Sequence, residues 1–490
     1  MQSVIDKPIE KPTIEMVDYK IPIIARGRVI DDYSLTFGGR HGSALFQTPD
    51  AKKYLNQIVL KNPAQQKALY ELSIEEILTF MDDLGQRLVL KDNEYLQEAF
   101  ALNCSASGLT ESVLYGTYQA LPILLSKENL REMLEQRIGI KYLEEWVPIQ
   151  ISSGQTVSVR AFGARTVHVI AGNVPLVAAG TIARSCCTRC DTIIKLPSND
   201  PLTATALAQT MIEMEPNHPI TKSVAVAYWK GGGDTDFETA FYKPENIEKI
   251  IAWGGFASIK HITKYLQPGI DLITLDPKLS MSIIGIEAFR SEETLRTVAQ
   301  RAAIDVGAYN QEACVNSRVI YVQSGTDEAG IGMLNKFGAF LYYSLVNLPD
   351  HVSTPAKDFD VNLKSNLDGL RMDDMFYRVY GGQENEGAVI VSQIDEPVDF
   401  SDQLCGRVAN LVPIDDIQTA LQSVNAHTQT VGIYPESLKR EIRDDLTRYG
   451  VQRIVSLGFA PSASFATPQD AIEPLRRMCK WVVDEQSVPC

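Results

Sequence analysis

Residues 166–175, Thr166-Val167-His168-Val169-Ile170-Ala171-Gly172-Asn173-Val174-Pro175, decide the fold. Val167 to Ile170 is a short apolar run with the length of a buried strand. Ala171 to Pro175 is a turn, and Leu176 to Cys190 has the composition of a helix. A second strand, Thr192 to Leu196, carries Lys195 near its end. The alternation continues with a helix from Pro201 to Met214 and strands at Ser223–Tyr228, Lys249–Trp253 and Leu272–Leu275. Between the last two, Gly254-Gly255 opens a helix predicted to reach Leu266. This pattern predicts an α/β fold built on a parallel sheet covered on both faces. Ligands bind such sheets at the carboxyl ends of the strands, where Asn173, Lys195 and Gly254-Gly255 all fall. The ordinary dinucleotide fingerprint, G-x-G-x-x-G, is missing from this region.

Upstream, Lys20–Ile30 and Ser34–Phe46 are predicted to hold short strands, and residues 64–145 are predicted to be helical. Ser73 followed by Glu76 is a capping-box pattern, ahead of an apolar stripe of Ile74, Ile77, Leu78, Met81 and Leu84. Leu130 to Leu143 has the pattern of another amphipathic helix. In Trp146–Ala164, Val147, Ile149 and Ile151, then Val157 and Val159, alternate around Ser152-Ser153-Gly154-Gln155, which predicts a β-hairpin.

The 490 residues are 45% hydrophobic, enough for two or three domains. A net charge of −15 argues against general binding to nucleic acid or anionic membrane. A nucleotide would need a locally basic site. Eight scattered cysteines do not suggest a disulfide framework. Residues 1–20 lack an apolar signal core, and no apolar run is long enough for a membrane span. The expectation is a reduced, soluble, cytoplasmic protein.

Asn310-Gln311-Glu312-Ala313-Cys314-Val315-Asn316-Ser317-Arg318 lies between a predicted helix, Ser291–Val306, and a predicted strand, Arg318–Val322. A polar loop on a rigid scaffold can present a nucleophile. A buried structural thiol is the commoner fate of a free cysteine, and the local residues leave both open. Cys186-Cys187-x-x-Cys190 is at most half a zinc site and lies in a predicted helix, so packing is the expected role. The six histidines show no metal spacing, and no metal is expected. Gly231-Gly232-Gly233 lacks a following Lys-Ser/Thr and is expected to be a turn.

The cysteine loop, with Arg318 and the strand after it, resembles the catalytic-cysteine region of the aldehyde dehydrogenase superfamily. Asn-Gln-Glu-Ala-Cys, His168-Val-Ile-Ala-Gly-Asn-Val-Pro-Leu176 and Ile251-Ala-Trp-Gly-Gly255 are closer still to the long-chain acyl-CoA reductases. These are typified by the fatty-acid reductase subunit of bacterial bioluminescence. The resemblance covers roughly residues 140–480. It implies an aldehyde-dehydrogenase-like α/β fold: a Rossmann-like cofactor domain, an α/β catalytic domain and a small oligomerisation hairpin. The corresponding boundaries are 1–145 for the N-terminal helical part of the cofactor domain, 146–165 for the hairpin and 166–284 for the Rossmann-like part. The catalytic domain is then 285–457 and the C-terminal segment 458–490, with a final helix at Pro474–Trp481. An ordinary surface hairpin fits residues 146–165 equally well.

The resemblance also implies roles. Cys314 is the nucleophile and Asn173 the oxyanion-stabilising asparagine. Lys195 contacts the adenosine ribose, with Ser198 beside it, and Gly254-Gly255 with Ser258 lies beneath the pyrophosphate. Gln403 stands where many relatives place a ribose-binding glutamate. Residues 196–199 carry no carboxylate to repel a 2′-phosphate, which favours NADPH. The implied reaction reduces a fatty acyl thioester to the aldehyde through an acyl group on Cys314, whose pKa is expected to be lowered. The donor is acyl-CoA or an acyl-protein, and the protein is expected to be a homo-oligomer, with an acyl-activating enzyme as a further partner. A hydrolytic aldehyde dehydrogenase and a non-redox acyl carrier are the alternatives. Against the first, Thr274 stands where the hydrolytic enzymes have a water-activating glutamate, although Asp276 or Glu312 could replace it. Lys195 and the Gly-Gly turn argue against the second. Relatives often carry His-Asp-Gly before the final helix, whereas this chain reads Pro468-Gln469-Asp470-Ala471, so no role for that histidine carries over.

Overall fold

Arg165–Val169 and Asp191–Lys195 lie side by side and parallel, with Val167 next to Ile193 and Val169 next to Lys195. Lys249–Trp253 flanks the first of these on its other side, also parallel, with Ala252 next to Val169. This register brings three strand ends to one edge of the sheet. The loops carrying Asn173, Lys195 and Gly254 therefore open together. In this computed structural model, which describes residues 19–39, 44–152, 154–462 and 464–485, the sheet has seven strands. Asp271–Leu275 forms one edge; Val224–Ala227 and then antiparallel Ile23–Ala25 and Arg28–Ile30 extend the other. His41, Ser153 and Cys490 lie outside the described residues.

The sheet is buried on both faces, as its apolar strands require. Ile194, Leu196 and Val226 pack with the helices of residues 74–145, among them Leu78, Met81 and Leu84 of Ile74–Arg87. The Ser73–Glu76 capping box closes that helix at its start. Val167, Ile193 and Ala225 pack on the opposite side with Phe241 and Ile262. Each fully buried leucine or isoleucine contributes about 1.5–3 kcal/mol relative to exposure.

The second sheet also has seven strands, ordered Tyr377–Gly381, Ala388–Ser392, Val408–Pro413, Ser317–Val322, Leu279–Ile284, Thr428–Tyr434 and Arg453–Ser456. Only the Tyr377–Gly381 pairing is antiparallel. Helix Glu292–Gly307 covers it with Val298, Ala302 and Val306, packed with Ile320 and Val322. Since Leu279–Ile284 belongs to this sheet, the chain crosses over between Leu275 and Leu279, ahead of the expected boundary at 284/285.

Several expected elements are cut differently. Leu130–Leu143 is two helices, Lys127–Arg137 and Ile140–Glu144, because Gly139 between them adopts φ +83°. The helix from Leu176 stops at Cys187, and Arg189 turns the chain with φ +57°. Its guanidinium is buried and donates to the carbonyl oxygens of Leu143 and Leu72, both at 2.6 Å. The expected final helix is helical only over Pro474–Met478. Cys479–Glu485 is a strand that pairs antiparallel with Thr156–Gly163, so the hairpin Val147–Gln150/Thr156–Gly163 becomes a three-stranded sheet.

Candidate active site

A cavity of about 1090 Å³ lies between the carboxyl ends of the first sheet's strands, at Val169, Lys195, Trp253 and Leu275, and the amino ends of the second sheet's, at Leu279, Arg318 and Thr428. Cys314, Asn173, Lys195, Ser198, Gly254, Gly255 and Ser258 all line it. Gln403 does not; it ends a short 3-10 turn, Ser401–Gln403, with its side chain exposed, and its neighbours Ser401 and Asp402 reach the cavity instead.

The loop that presents Cys314 is strained and tightly held. Tyr309, Asn310 and Gln311 adopt φ of +54°, +51° and +65°, a left-handed region that costs non-glycine residues about 1–2 kcal/mol each. Polar side chains offset that cost. Gln311 donates to the carbonyl oxygens of Ser317 at 3.0 Å and Val408 at 2.8 Å, and its own oxygen accepts from the Val408 N–H at 2.8 Å. Asn316 donates to Asp305 O and Ala308 O, and Asn310 accepts from the Thr354 N–H. Ser280 Oγ donates to Cys314 O at 2.7 Å. The amides that made the loop look like a polar site are its scaffold. Cys314 is left exposed to the cavity.

Contrary to the expected lowered value, the Cys314 thiol is pushed up, first by the protein packed around it and then by the Asp470 carboxylate. A hydrogen bond from the Gln429 side chain and the charge of Arg318 act in the opposite direction. Asn173 Nδ2 donates to Glu312 O at 3.0 Å, beside the cysteine, from where it can turn to an oxyanion. Thr274 is half-buried and outside the lining, whereas Asp276, Glu312 and Asp470 line it.

At the other end, Lys195 Nζ sits 5.8 and 5.7 Å from the rings of Tyr228 and Trp229, with a long 3.4 Å bond to Leu196 O. Burial lowers its pKa to about 8, against the charge of Glu238. A Cβ on Gly254 would come within 3.2 Å of Ser258 Cβ, while one on Gly255 would meet nothing within 4 Å. Gly255 caps the helix Phe256–Thr263 without a side-chain cap, and a helix start offers unpaired N–H groups to an anion. An under-solvated cation, an open glycine turn and a helix start fit a dinucleotide phosphate. Cys186, Cys187 and Cys190 are buried, and among the described residues no cluster has the makings of a metal site. Gly231–Gly233 is a turn whose Gly232 N–H is taken by buried Glu238.

Residues 69–481 match the family model described as acyl-CoA reductase (LuxC). The chain belongs to that family. Its fold is shared with aldehyde dehydrogenases, and it is an oxidoreductase of the acyl-reductase type. It is 28% identical over 475 residues to a long-chain acyl-protein thioester reductase of Vibrio harveyi, covering 95% of this chain and 93% of the relative. Its identity to the same-named protein of Aliivibrio fischeri is 29%, over 85% and 83% of the two chains. Among solved structures it is similar to an NADP-dependent glyceraldehyde-3-phosphate dehydrogenase from Bacillus halodurans, complexed with NADP, with TM-score 0.72, 13% identity and coverage of 96% and 100%. Lactaldehyde dehydrogenase from Escherichia coli gives TM-score 0.69 at 13% identity, covering 96% and 100%. Asp470, which lines the cavity and whose charge raises the Cys314 pKa, and Gln429, which donates to Asp470, stand far from Cys314 in the sequence and are not among the expected site residues.

Proposed function

We propose that this family member reduces a long-chain fatty acyl thioester to the aldehyde, with NADPH as reductant and Cys314 as the acyl-bearing residue. The observation that carries this is one cavity holding Cys314 and Asn173 together with Lys195 and Gly254-Gly255. The cofactor supplies hydride when bound. Lys195 holds its adenosine end, and the start of the Phe256–Thr263 helix holds its phosphates. Cys314 Sγ attacks the acyl carbonyl, and the donor thiol leaves. Asn173 and the Cys314 N–H stabilise the oxyanion, each by about 3 kcal/mol. Of the two expected donors, the relatives' names favour a protein-borne acyl group over free acyl-CoA. The exposed Ile149, Val482 and Val483 of the three-stranded sheet, with Trp146 and Ile151 flanking its first strand, support self-association there. No helix among the described residues is long and apolar enough to cross a membrane.

A hydrolytic second reading is favoured by the carboxyl groups of Asp276, Glu312 and Asp470 in the cavity. Mixing the protein with fatty acyl thioester and NADPH, and following both cofactor oxidation and the product, separates the two. Aldehyde with loss of NADPH is expected. Free fatty acid without cofactor oxidation overturns the reductase reading.

A further inference from the structure

The two donors available to the oxyanion come from opposite sides of the molecule. Asn173 follows Arg165–Val169 of the first sheet, and the Cys314 N–H precedes Ser317–Val322 of the second. A direct bond joins the two sides here, from Asn173 Nδ2 to Glu312 O at 3.0 Å. That bond opens when Asn173 turns to an oxyanion. Another contact must then keep the two sides in register, and the turn at residues 107–110 supplies one. The turn belongs to the helical layer on the first sheet, where Ala106, Leu109 and Val113 pack with Ile194 and Leu196. Thr110 is the N-cap of the helix Glu111–Gln119, yet its side chain makes no capping bond to that helix. A threonine at this position ordinarily spends its hydroxyl there.

The hydroxyl is turned to the other side of the site instead. Thr110 Oγ1 bonds Thr354 Oγ1 and accepts from Asn310 Nδ2 at 3.2 Å. Asn310 is buried, and its Oδ1 accepts from the Thr354 N–H at 2.9 Å and from Ser353 Oγ at 3.3 Å. The Tyr309 N–H donates to Val352 O at 3.0 Å. Thr354 lies between the helices Glu328–Val346 and Val361–Arg371, both packed on the second sheet. Further along this segment, Lys357 Nζ donates to Cys104 O at 2.8 Å and Ser107 O at 3.0 Å, closing the end of the helix Glu94–Ala106. A Cβ on Gly116 would lie 3.0 Å from His351 O, and one on Gly108 would meet Glu312 Oε1 at 2.6 Å. The 107–110 turn thus meets the nucleophile loop at Asn310 and at Glu312, just ahead of Cys314.

We propose that Thr110 and Asn310 are positioning residues that hold the Cys314 loop in register with Asn173 while the oxyanion forms. This rests on Cys314 being the acyl-bearing residue. Thr110, Asn310 and Thr354 stand outside the cavity lining, so they act through the loop and touch no reacting atom. Asn310 is the middle of the left-handed turn Tyr309–Gln311 that leads to Cys314, and the Thr110 hydroxyl fixes its side chain. Oxyanion donors work only within about 2.7–3.1 Å of the oxygen, so two donors from two sides need a fixed separation. A misplacement of about 1 Å at a reacting centre can cost about 10²-fold.

A double-mutant cycle between Thr110 and Asn173 tests this. The readout is single-turnover formation of acyl-Cys314 from a long-chain acyl-CoA, quenched and quantified by mass spectrometry. Thr110→Val removes the hydroxyl and keeps the shape. It is expected to slow acylation about 10–10²-fold and to leave cofactor affinity, read by fluorescence titration, unchanged. Asn173→Ala should cost about 10²–10³-fold in the wild-type background. In the Thr110→Val background it should cost less than about tenfold, because Asn173 no longer meets the oxyanion. Damage without this coupling would leave the cost of Asn173→Ala the same in both backgrounds. Thr110→Ser keeps the hydroxyl and is expected to restore the wild-type rate. Thr354→Val removes the other hydroxyl of the pair, and is expected to show the same coupling if Thr110→Val does not fold. Equal costs of Asn173→Ala in both backgrounds overturn the proposal, as does unchanged acylation in Thr110→Val. The adduct's position separates the two readings. An adduct on another cysteine defeats the assignment of Cys314 and this proposal with it, whereas an adduct on Cys314 with additive costs defeats this proposal alone.

Discussion

Lys195→Ala tests the adenosine end of the site. The ammonium lies against two aromatic rings and has one long bond to a carbonyl, so a bound 2′-phosphate would be its strongest partner. Hydrogen bonds to charged groups contribute about 1.5–3 kcal/mol, so removing the side chain should weaken NADPH binding roughly 10–150-fold. NADH, without the phosphate, should lose far less. The pH dependence gives an independent measure. Burial brings the Lys195 pKa down to about 8 in the free protein, so the charged form that binds phosphate is present below that value and lost above it. Apparent affinity scales with the charged fraction, which predicts about a tenfold loss of NADPH affinity between about pH 7 and about pH 9. Fluorescence titration of each cofactor against wild type and Lys195→Ala measures both effects. Equal losses for NADPH and NADH, or a flat wild-type profile, would refute the assignment of Lys195 to the phosphate.

Cys314→Ala should abolish the acyl adduct seen by mass spectrometry while leaving cofactor affinity within about twofold, since Cys314 precedes a strand of the second sheet and Lys195 ends a strand of the first. Asn173→Ala should lower kcat about 10²–10³-fold with little change in substrate affinity, because its amide is needed only once the oxyanion forms. A rise in KM at constant kcat would assign Asn173 to substrate binding instead.

What could be read from the sequence follows the range over which each feature is encoded. Asn173, Lys195 and Gly254-Gly255 were legible because each ends a strand, and strand ends of one parallel sheet converge whatever the details. Cys314 was legible from its loop, but the roles of its neighbours were not. Asn310, Gln311 and Asn316 gave the loop its polar composition and bond backbone, because the left-handed turn they stabilise leaves no local signature. Gln403 is exposed off the cavity that its neighbours Ser401 and Asp402 line; one residue's rotation in a 3-10 turn decides which side chain enters it. Cys479–Glu485 is a strand although a helix was expected to run to Trp481, since its strand partner lies at Thr156–Gly163, more than three hundred residues earlier. Asp470 and Gln429 failed for the same reason, with a further one: a glutamine and an aspartate with no fixed spacing carry no chemical pattern until the fold joins them.

The tail that brings Asp470 to the cavity is anchored by another carboxyl group, and its ionisation can be measured. Asp305 is fully buried on the Glu292–Gly307 helix and accepts the N–H of Gly458 and of Ala460, each at 2.9 Å. It lies so close to Gly432 that a Cβ there would meet Oδ2 at 2.5 Å. Beyond Ala460 the chain reaches Phe465, which packs on Gly180 and Arg184, and then Asp470. Burial raises the Asp305 pKa to about 6, although both N–H groups and Arg453 pull it down. The folded value thus exceeds the unfolded one, so between them the folded state holds a proton that the unfolded state has released. Stability from this group is full at low pH and is lost as pH rises toward 6; linkage puts the whole span at about 3 kcal/mol. By the same relation, wild type gains roughly 1.4 kcal/mol on going from about pH 7.5 to about pH 5. At neutral pH the group stays ionised against its burial because two tail N–H groups need both oxygens. Asp305→Asn keeps one acceptor and cannot titrate. Its unfolding free energy in denaturant should therefore lack this pH slope, and at neutral pH the forfeited ionisation cost should nearly cancel the lost bond, about 1–3 kcal/mol. Parallel pH profiles for variant and wild type would show that Asp305 does not carry the linkage. If the slope vanishes and Cys314 acylation slows in the variant at the same time, the anchoring of the tail and the reactivity of the cysteine are one property of the fold.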